Sequence, residues 1–132
     1  MDKVKVVQYG LGPIGLGIVE VLLSRPWVQL VGAVDIDKAK VGKDVGQLLA
    51  HPLTTGILVS DRVSDVLKNT APEVVTHATS SYMMTIQPQL LEIIKEGVSV
   101  VSTAEELAYP FVKHPDLAKE IDETTRLCSG LA

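Results

Sequence analysis

The sequence predicts an α/β fold, in which a doubly wound parallel sheet of about five to six strands carries helices on both faces. Short runs rich in β-branched residues alternate with longer segments whose apolar residues recur at helical spacing. The strand-like runs are apolar almost throughout, as is typical of strands covered on both faces. A length of 132 residues suits one domain with a core of ordinary size.

The predicted elements follow one another in a regular order. Strands are predicted at Lys3–Tyr9, Val28–Asp35, Gly56–Ser60, Glu73–Thr79 and Val98–Thr103. Helices are predicted at Ile14–Leu23, Asp61–Lys68, Ile86–Glu96 and Pro115–Leu127, whereas Lys38–Ala50 contains two glycines and is a poorer helix former. A six-stranded sheet needs one more strand near the final "LCSGLA", and we expect that strand to be missing or reduced to a stub.

The composition excludes several classes of partner. A formal net charge of -4 gives no general attraction to nucleic acid or to anionic membranes. No apolar run reaches the roughly 18 residues of a membrane span, and "MDKVKVVQYG" lacks a signal-peptide pattern. The single cysteine, Cys128, leaves no internal disulfide and no cysteine-based zinc site. We therefore expect a cytoplasmic protein that binds no nucleic acid, membrane or metal.

The stretch "VVQYGLGPIGLG" places Gly10, Gly12 and Gly15 at the spacing G-x-G-x-x-G, between a predicted strand and a predicted helix. In that context the motif binds a dinucleotide. Gly10 permits the tight turn, Gly12 lets a pyrophosphate approach the backbone, and Gly15 lets the helix pack close to the sheet. We assign Gly17 to close packing of the helix. The fold is then of the Rossmann type.

The helix after this turn begins with Pro13 and Ile14. Proline is tolerated at the first helical position, because the amide that it lacks has no partner within the helix. The remaining free amides and the partial positive charge of the helix N-terminus favour phosphate binding. Both residues are therefore included in the predicted cofactor site.

An acid stands at the end of the second predicted strand. Asp35 follows "LVGAV", where a carboxylate accepts hydrogen bonds from the adenosine ribose and disfavours a 2′-phosphate. The alternative is that Asp35 starts a turn, and Asp37 is a weaker candidate. Lys38, Lys40 and Lys43 are expected on a solvated face, although they leave room for a 2′-phosphate. We expect NAD as the cofactor, with NADP as the alternative.

The motif "HATSSY" closes the fourth predicted strand. Ligands of open α/β sheets bind beyond the carboxyl ends of the strands, where the strand order reverses. His77, Ala78, Thr79 and Ser80 are therefore expected along the path toward the nicotinamide. The alternative for His77 is a packed, hydrogen-bonded strand residue.

Two adjacent acids, Glu105 and Glu106, lie in "STAEELAYP" directly after the fifth predicted strand. A carboxylate beside a nicotinamide suits a cationic substrate, because it pairs with an ammonium and takes up a proton as the amine is oxidised. The alternative is that both are first-turn helix residues favoured by the helix dipole.

These four motifs, "QYGLGPIG", "VGAVDIDKAKVGKDVGQLL", "HATSSY" and "STAEELAYP", resemble in that order the N-terminal domain of 2,4-diaminopentanoate dehydrogenases and native amine dehydrogenases. The wider group has an N-terminal domain similar to dihydrodipicolinate reductase. The resemblance implies NAD(P)-dependent oxidative deamination of 2,4-diaminopentanoate or a related amine, and the reverse reductive amination. It also implies a catalytic acid that holds the amine, which we assign to Glu105 first and to Glu106 second.

In that family a second α/β domain follows and supplies most of the substrate pocket and the dimer interface. We therefore expect these 132 residues to be an NAD(P)-binding domain that is incomplete for catalysis alone. Two other hypotheses are a dihydrodipicolinate reductase-like domain and a non-catalytic NAD(H) sensor or assembly module. We also expect a homo-oligomer, formed through the sheet edge at Val98, Val100 and Val101 or through Tyr109 and Phe111.

Overall fold

The computed structural model describes residues 2–128, and it contains one five-stranded sheet with all strands parallel. The strand order is β3-β2-β1-β4-β5. The strands are β1 (Val4–Tyr9), β2 (Val28–Val34), β3 (Val59–Ser60), β4 (Val74–His77) and β5 (Ser99–Ser102). The order reverses between β1 and β4, so the predicted doubly wound topology is confirmed.

Five α-helices connect and cover these strands. They are α1 (Pro13–Ser24), α2 (Val63–Thr70), α3 (Met83–Lys95), α4 (Pro110–Lys113) and α5 (Pro115–Cys128). Two short 3-10 helices lie at Val45–Leu48 and Glu105–Leu107. No helix within residues 2–128 has the length and apolar character required to cross a bilayer.

The core has two parts, one on each face of the sheet. On one face α2, α3 and α5 pack against the strands, with Ile86, Leu90 and Ile94 of α3 fully buried. On the other face Val19 of α1 and Val45 pack on β2 and β3. Burying apolar surface on both faces is what stabilises a parallel sheet of this kind.

Several boundaries differ from the sequence prediction. The third strand is only Val59–Ser60 rather than Gly56–Ser60, because the preceding segment forms an isolated antiparallel bridge between Asp44 and Leu58. Helix α3 begins three residues earlier than expected, and it contains a proline. The short helix α4 was not predicted. The expected sixth-strand stub falls on residues 129–132, outside the described residues.

Strand β5 forms one edge of the sheet, as expected, but the valines in it and directly before it are not all exposed. Val98 and Val100 are buried in the core, and only Val101, at 65% exposure, lies open. The prediction that all three valines form an exposed edge is therefore wrong for two of them. Alternate residues of a strand face opposite sides, and one side of β5 is already covered by α3.

Candidate cofactor-binding site

The glycine turn joins β1 to α1, in the arrangement that the sequence predicted. Gly10 has φ +99°, a conformation that side chains disfavour, and its N–H donates to the Val34 carbonyl at 2.8 Å. A Cβ on Gly15 would lie 2.7 Å from the Gly10 carbonyl carbon and closer still to its oxygen. A Cβ on Gly12 would meet nothing within 4 Å. The helix therefore lies directly on the turn, while the backbone at Gly12 stays open.

The residue between these glycines, Leu11, is held at both of its backbone polar atoms. Its N–H donates to Asp35 Oδ2 at 2.8 Å, and its carbonyl accepts from Lys40 Nζ at 2.8 Å. Beneath the turn, the fully buried Gln8 donates from Nε2 to the Gly10 carbonyl at 3.0 Å. Asp35, which directly follows β2, thus contacts the glycine turn through this hydrogen bond. Its other oxygen accepts from the Asp37 N–H at 2.8 Å, so it also shapes the following turn.

Sequence reasoning missed the roles of Gln8 and Lys40. Gln8 carried a usable signal, since a lone amide in an otherwise apolar buried strand needs a polar partner. Lys40 was grouped with Lys38 and Lys43 as a solvated residue. In the structure the three lysines differ in exposure. Lys38 and Lys43 are exposed, whereas the Lys40 side chain is half-buried and its Nζ lies 3.9 Å from Asp37 Oδ2.

A cavity of about 330 Å³ opens beside the turn, at the point where the strand order reverses. Ligands of doubly wound sheets bind at this point. Its walls come from the segments that follow three neighbouring strands and from α3. The lining residues are Tyr9, Gly10, Leu11, Gly12, Asp35, Ile36, Asp37, Lys40, Ala78, Thr79, Thr85 and Gln89.

Of the predicted cofactor residues, Gly10, Gly12, Asp35, Ala78 and Thr79 line this cavity, and the others lie around it. Gly15 is buried beneath the turn, whereas Pro13 and Ile14 are exposed in the first turn of α1. The Ser80 hydroxyl accepts from the Tyr82 N–H at 3.2 Å, in the turn that precedes α3.

The assignment of Gly17 to close packing is wrong. Gly17 is exposed on α1, and a Cβ there would meet nothing within 4 Å. The helix turns this residue away from the sheet, since it lies two residues after the buried Gly15.

His77 was expected along the path to the nicotinamide, but it is not among the residues that line the cavity. It is instead a packed, hydrogen-bonded strand residue, which was the alternative. Its Nε2 lies 2.7 Å from Gln89 Oε1 and its Nδ1 lies 2.8 Å from Ser102 Oγ. Because an amide oxygen only accepts, Nε2 carries the hydrogen and Nδ1 accepts from the Ser102 hydroxyl. Burial lowers the pKa of His77, with the Gln89 hydrogen bond opposing it in part. A neutral imidazole thus supports Thr79 and Gln89, which line the cavity.

The two glutamates occupy different environments. Glu106 is half-buried, and its Oε2 accepts from His114 Nε2 at 2.9 Å while Lys113 Nζ lies 3.7 Å from its other oxygen. Glu105 is exposed, and among residues 2–128 no cation lies within ion-pair distance of its carboxylate. Both begin a 3-10 helix and line an open depression with Tyr109, apart from the cavity at the glycine turn.

Comparisons with known proteins agree with the geometry of the site. No protein family model matches the chain. The 2,4-diaminopentanoate dehydrogenase of Acetoanaerobium sticklandii is 33% identical over an alignment of 131 positions, which covers 96% of this chain and 36% of that protein. An amine dehydrogenase from Mycobacterium smegmatis superposes with a TM-score of 0.91 at 33% identity, over 96% of this chain and 37% of that one.

The chain is similar in sequence and in fold to these two dehydrogenases. The resemblance seen in its motifs is thereby confirmed, and the chain spans about a third of the length of these relatives. GenD2 of gentamicin A biosynthesis, solved in complex with NAD, shares the fold with a TM-score of 0.74 at 24% identity and covers 98% of this chain. The matched region makes up 33% of the GenD2 chain.

Proposed function

We propose that this domain binds NAD in the cavity beside the glycine turn. The observation that carries the proposal is the open backbone at Gly12, next to a helix N-terminus and an acid at the end of β2. Gly12 and the first turn of α1 would hold the pyrophosphate, because free amides and the helix dipole favour anions there. Asp35 would accept from the adenosine ribose.

The nicotinamide half would lie along the segment after β4, where Ala78 and Thr79 line the cavity. When bound there, NAD supplies the hydride acceptor of an oxidation. The domain itself supplies orientation, since Thr79 is fixed by hydrogen bonds to His77 and Gln89. NADP is the weaker alternative, because Asp35 and Asp37 both border the expected ribose position.

We further propose that this is the N-terminal domain of an oxidoreductase that deaminates 2,4-diaminopentanoate or a related amine. Support comes from the two relatives at 33% identity, which are a 2,4-diaminopentanoate dehydrogenase and an amine dehydrogenase. Glu105 is the first candidate for the acid that holds the amine, because the Glu106 carboxylate is already engaged by His114. The remaining two-thirds of such a protein would complete the substrate pocket, and we place the protein in the cytoplasm.

Cofactor binding is tested by titrating NAD+ into the wild-type chain and into two valine variants. In Gly12→Val the new side chain fills the space expected for the pyrophosphate, and we expect NAD+ affinity to fall by at least about a hundredfold. Gly17→Val is the matched control, because it adds the same side chain to the open face of the same helix. Unchanged affinity in Gly12→Val contradicts the cofactor assignment.

The reaction is tested in the longer protein that contains this domain. We expect NAD+-dependent oxidation of 2,4-diaminopentanoate or a simple amine, and a loss of at least about a hundredfold in kcat/KM in Glu105→Gln. Glu106→Gln should instead lower thermal stability, since it leaves His114 without its partner. NAD+ binding without turnover of any amine would favour the sensor hypothesis.

A further inference from the structure

We propose that Lys40 orients and polarises the Gly12 amide, and so acts as a positioning residue for the cofactor pyrophosphate. This inference rests on the proposed NAD binding. It assigns a role to a residue that comes 28 positions after Gly12 in the sequence and that shares the cavity wall with it.

Leu11 is held in place at both of its backbone polar atoms. Its N–H is bound by Asp35 Oδ2 and its carbonyl by Lys40 Nζ, each at 2.8 Å. The two side chains are separated from Leu11 by 24 and 29 residues, so these are tertiary contacts rather than features of the local turn. Lys40 keeps its ammonium at this position with only 26% of its side chain exposed.

The Leu11 carbonyl and the Gly12 N–H belong to one planar trans peptide, in which they point in opposite directions. Fixing the carbonyl toward Lys40 therefore fixes the Gly12 N–H in the opposite sense. Within residues 2–128 that N–H donates to no acceptor of the protein. An unused amide of set direction, beside a helix N-terminus, is available to an anion.

The contact between Lys40 and the Leu11 carbonyl also changes the donor strength of the Gly12 amide. A hydrogen bond from an ammonium to a carbonyl is charge-assisted and stronger than a neutral one. It draws electron density toward the carbonyl oxygen and makes the N–H of the same peptide a better donor, since linked hydrogen bonds polarise one another. Lys40 thus strengthens phosphate binding at Gly12 without touching the phosphate.

A different role for Lys40 would be direct pairing with a 2′-phosphate of NADP. The contacts disfavour it, because Nζ is bound to Leu11 and faces the Asp37 carboxylate 3.9 Å away. Reaching a 2′-phosphate would require Lys40 to leave both. A positioning role predicts equal effects on NAD+ and NADP+, whereas direct pairing predicts a larger effect on NADP+.

The test measures dissociation constants for NAD+ and NADP+ by calorimetry in four chains: wild type, Lys40→Met, Lys40→Arg and Lys43→Met. We expect Lys40→Met to weaken both cofactors by the same factor of about ten, and Lys40→Arg to restore most of the loss because it keeps a cationic donor. Lys43→Met, a change to an exposed lysine of the same segment, should bind as the wild type does.

A second readout separates positioning from a general structural defect. In the free protein, the Gly12 amide resonance in a ¹H–¹⁵N spectrum should shift in Lys40→Met and stay in place in Lys43→Met. Lys40→Met should lose some thermal stability, since it removes a tertiary hydrogen bond to Leu11, but its far-ultraviolet circular dichroism should match that of the wild type. Should Lys40→Met fail to fold, Lys40→Gln removes the charge with a polar side chain and is measured in its place.

The outcomes are distinct. Equal losses for both cofactors with a shifted Gly12 amide support the inference. A loss for NADP+ that exceeds the loss for NAD+ tenfold overturns it and makes Lys40 a 2′-phosphate ligand. Wild-type affinity in Lys40→Met overturns it while NAD binding stands, and a wild-type chain that binds neither cofactor overturns both proposals.

Discussion

Replacing Gly15 by alanine tests how closely α1 lies on the glycine turn. Alanine in a helix interior is normally more stable than glycine by roughly 0.5–1 kcal/mol. At position 15 the added Cβ would lie 2.7 Å from the Gly10 carbonyl carbon and 3.3 Å from Gln8 Nε2, well inside an ordinary contact of roughly 3.5 Å. The neighbour is backbone that Gln8 holds from below, so it cannot move aside freely.

Gly17→Ala provides the matched comparison, because it lies in the same helix and its Cβ would meet open space. We expect Gly17→Ala to gain about 0.7 kcal/mol, whereas overpacking of about 3 kcal/mol leaves Gly15→Ala with a net loss of about 2 kcal/mol. For a domain of this size 1 kcal/mol shifts the thermal midpoint by roughly 4 °C. The two midpoints should therefore differ by roughly 12 °C.

The assay is thermal unfolding followed by circular dichroism, with NAD+ titration of both variants. Gly15→Ala should also bind NAD+ more weakly, since moving α1 away displaces the helix N-terminus from the cavity, and Gly17→Ala should bind as wild type. A midpoint for Gly15→Ala that equals or exceeds that of Gly17→Ala would refute the close contact between helix and turn.

Three other predictions follow from single sites. Asp35→Ala should lower the preference for NAD+ over NADP+, measured as the ratio of the two dissociation constants; an unchanged ratio removes Asp35 from the ribose. Hydrogen bonds from the Thr55 hydroxyl and from backbone amides lower the pKa of Asp44 to about 2. The stability contributed by this carboxylate is therefore complete above its unfolded pKa near 4, and it is lost as pH falls toward 2. Urea unfolding between pH 5 and 2 should show a steeper loss in wild type than in Asp44→Ala, and parallel curves would contradict this origin. Finally, Tyr109 and Phe111 are 79% and 60% exposed, and we expect self-association through them, absent in the Tyr109→Ser/Phe111→Ser double variant. A wild-type chain that sediments as a monomer at every concentration would exclude it.

The sequence was most informative where structure is local. The glycine turn was predicted with its neighbours because strand, turn and helix are consecutive, and Gly10, Gly12 and Gly15 each have the geometry expected of them. The doubly wound parallel sheet was predicted from the alternation of strands and helices along the chain. By contrast, the segment before β3 was predicted as strand, but the Asp44 carboxylate organises it as a loop.

Contacts between distant positions were not predictable. Lys40 lies beside two other lysines in sequence, and only the folded chain brings its ammonium to Leu11. The direction of His77 was also undetermined, because each face of β4 carries one valine and one polar residue, and this pattern does not reveal which side faces the cavity. The distinction between Glu105 and Glu106 likewise depends on His114, whose approach requires the short helix α4.

His77 nevertheless connects the two parts of the proposed site. On one side it hydrogen-bonds Thr79 and Gln89, which line the cavity; on the other it accepts from Ser102, whose hydroxyl oxygen also accepts the Ala104 N–H at 3.1 Å. Ala104 immediately precedes the glutamate pair. Burial lowers the pKa of His77, which favours the neutral imidazole in this network. In the proposed function, the side chains that line the cavity near the nicotinamide are thus linked by hydrogen bonds to the residue that precedes Glu105. A substitution that unpairs His77 should therefore disturb cofactor binding and the glutamate segment together.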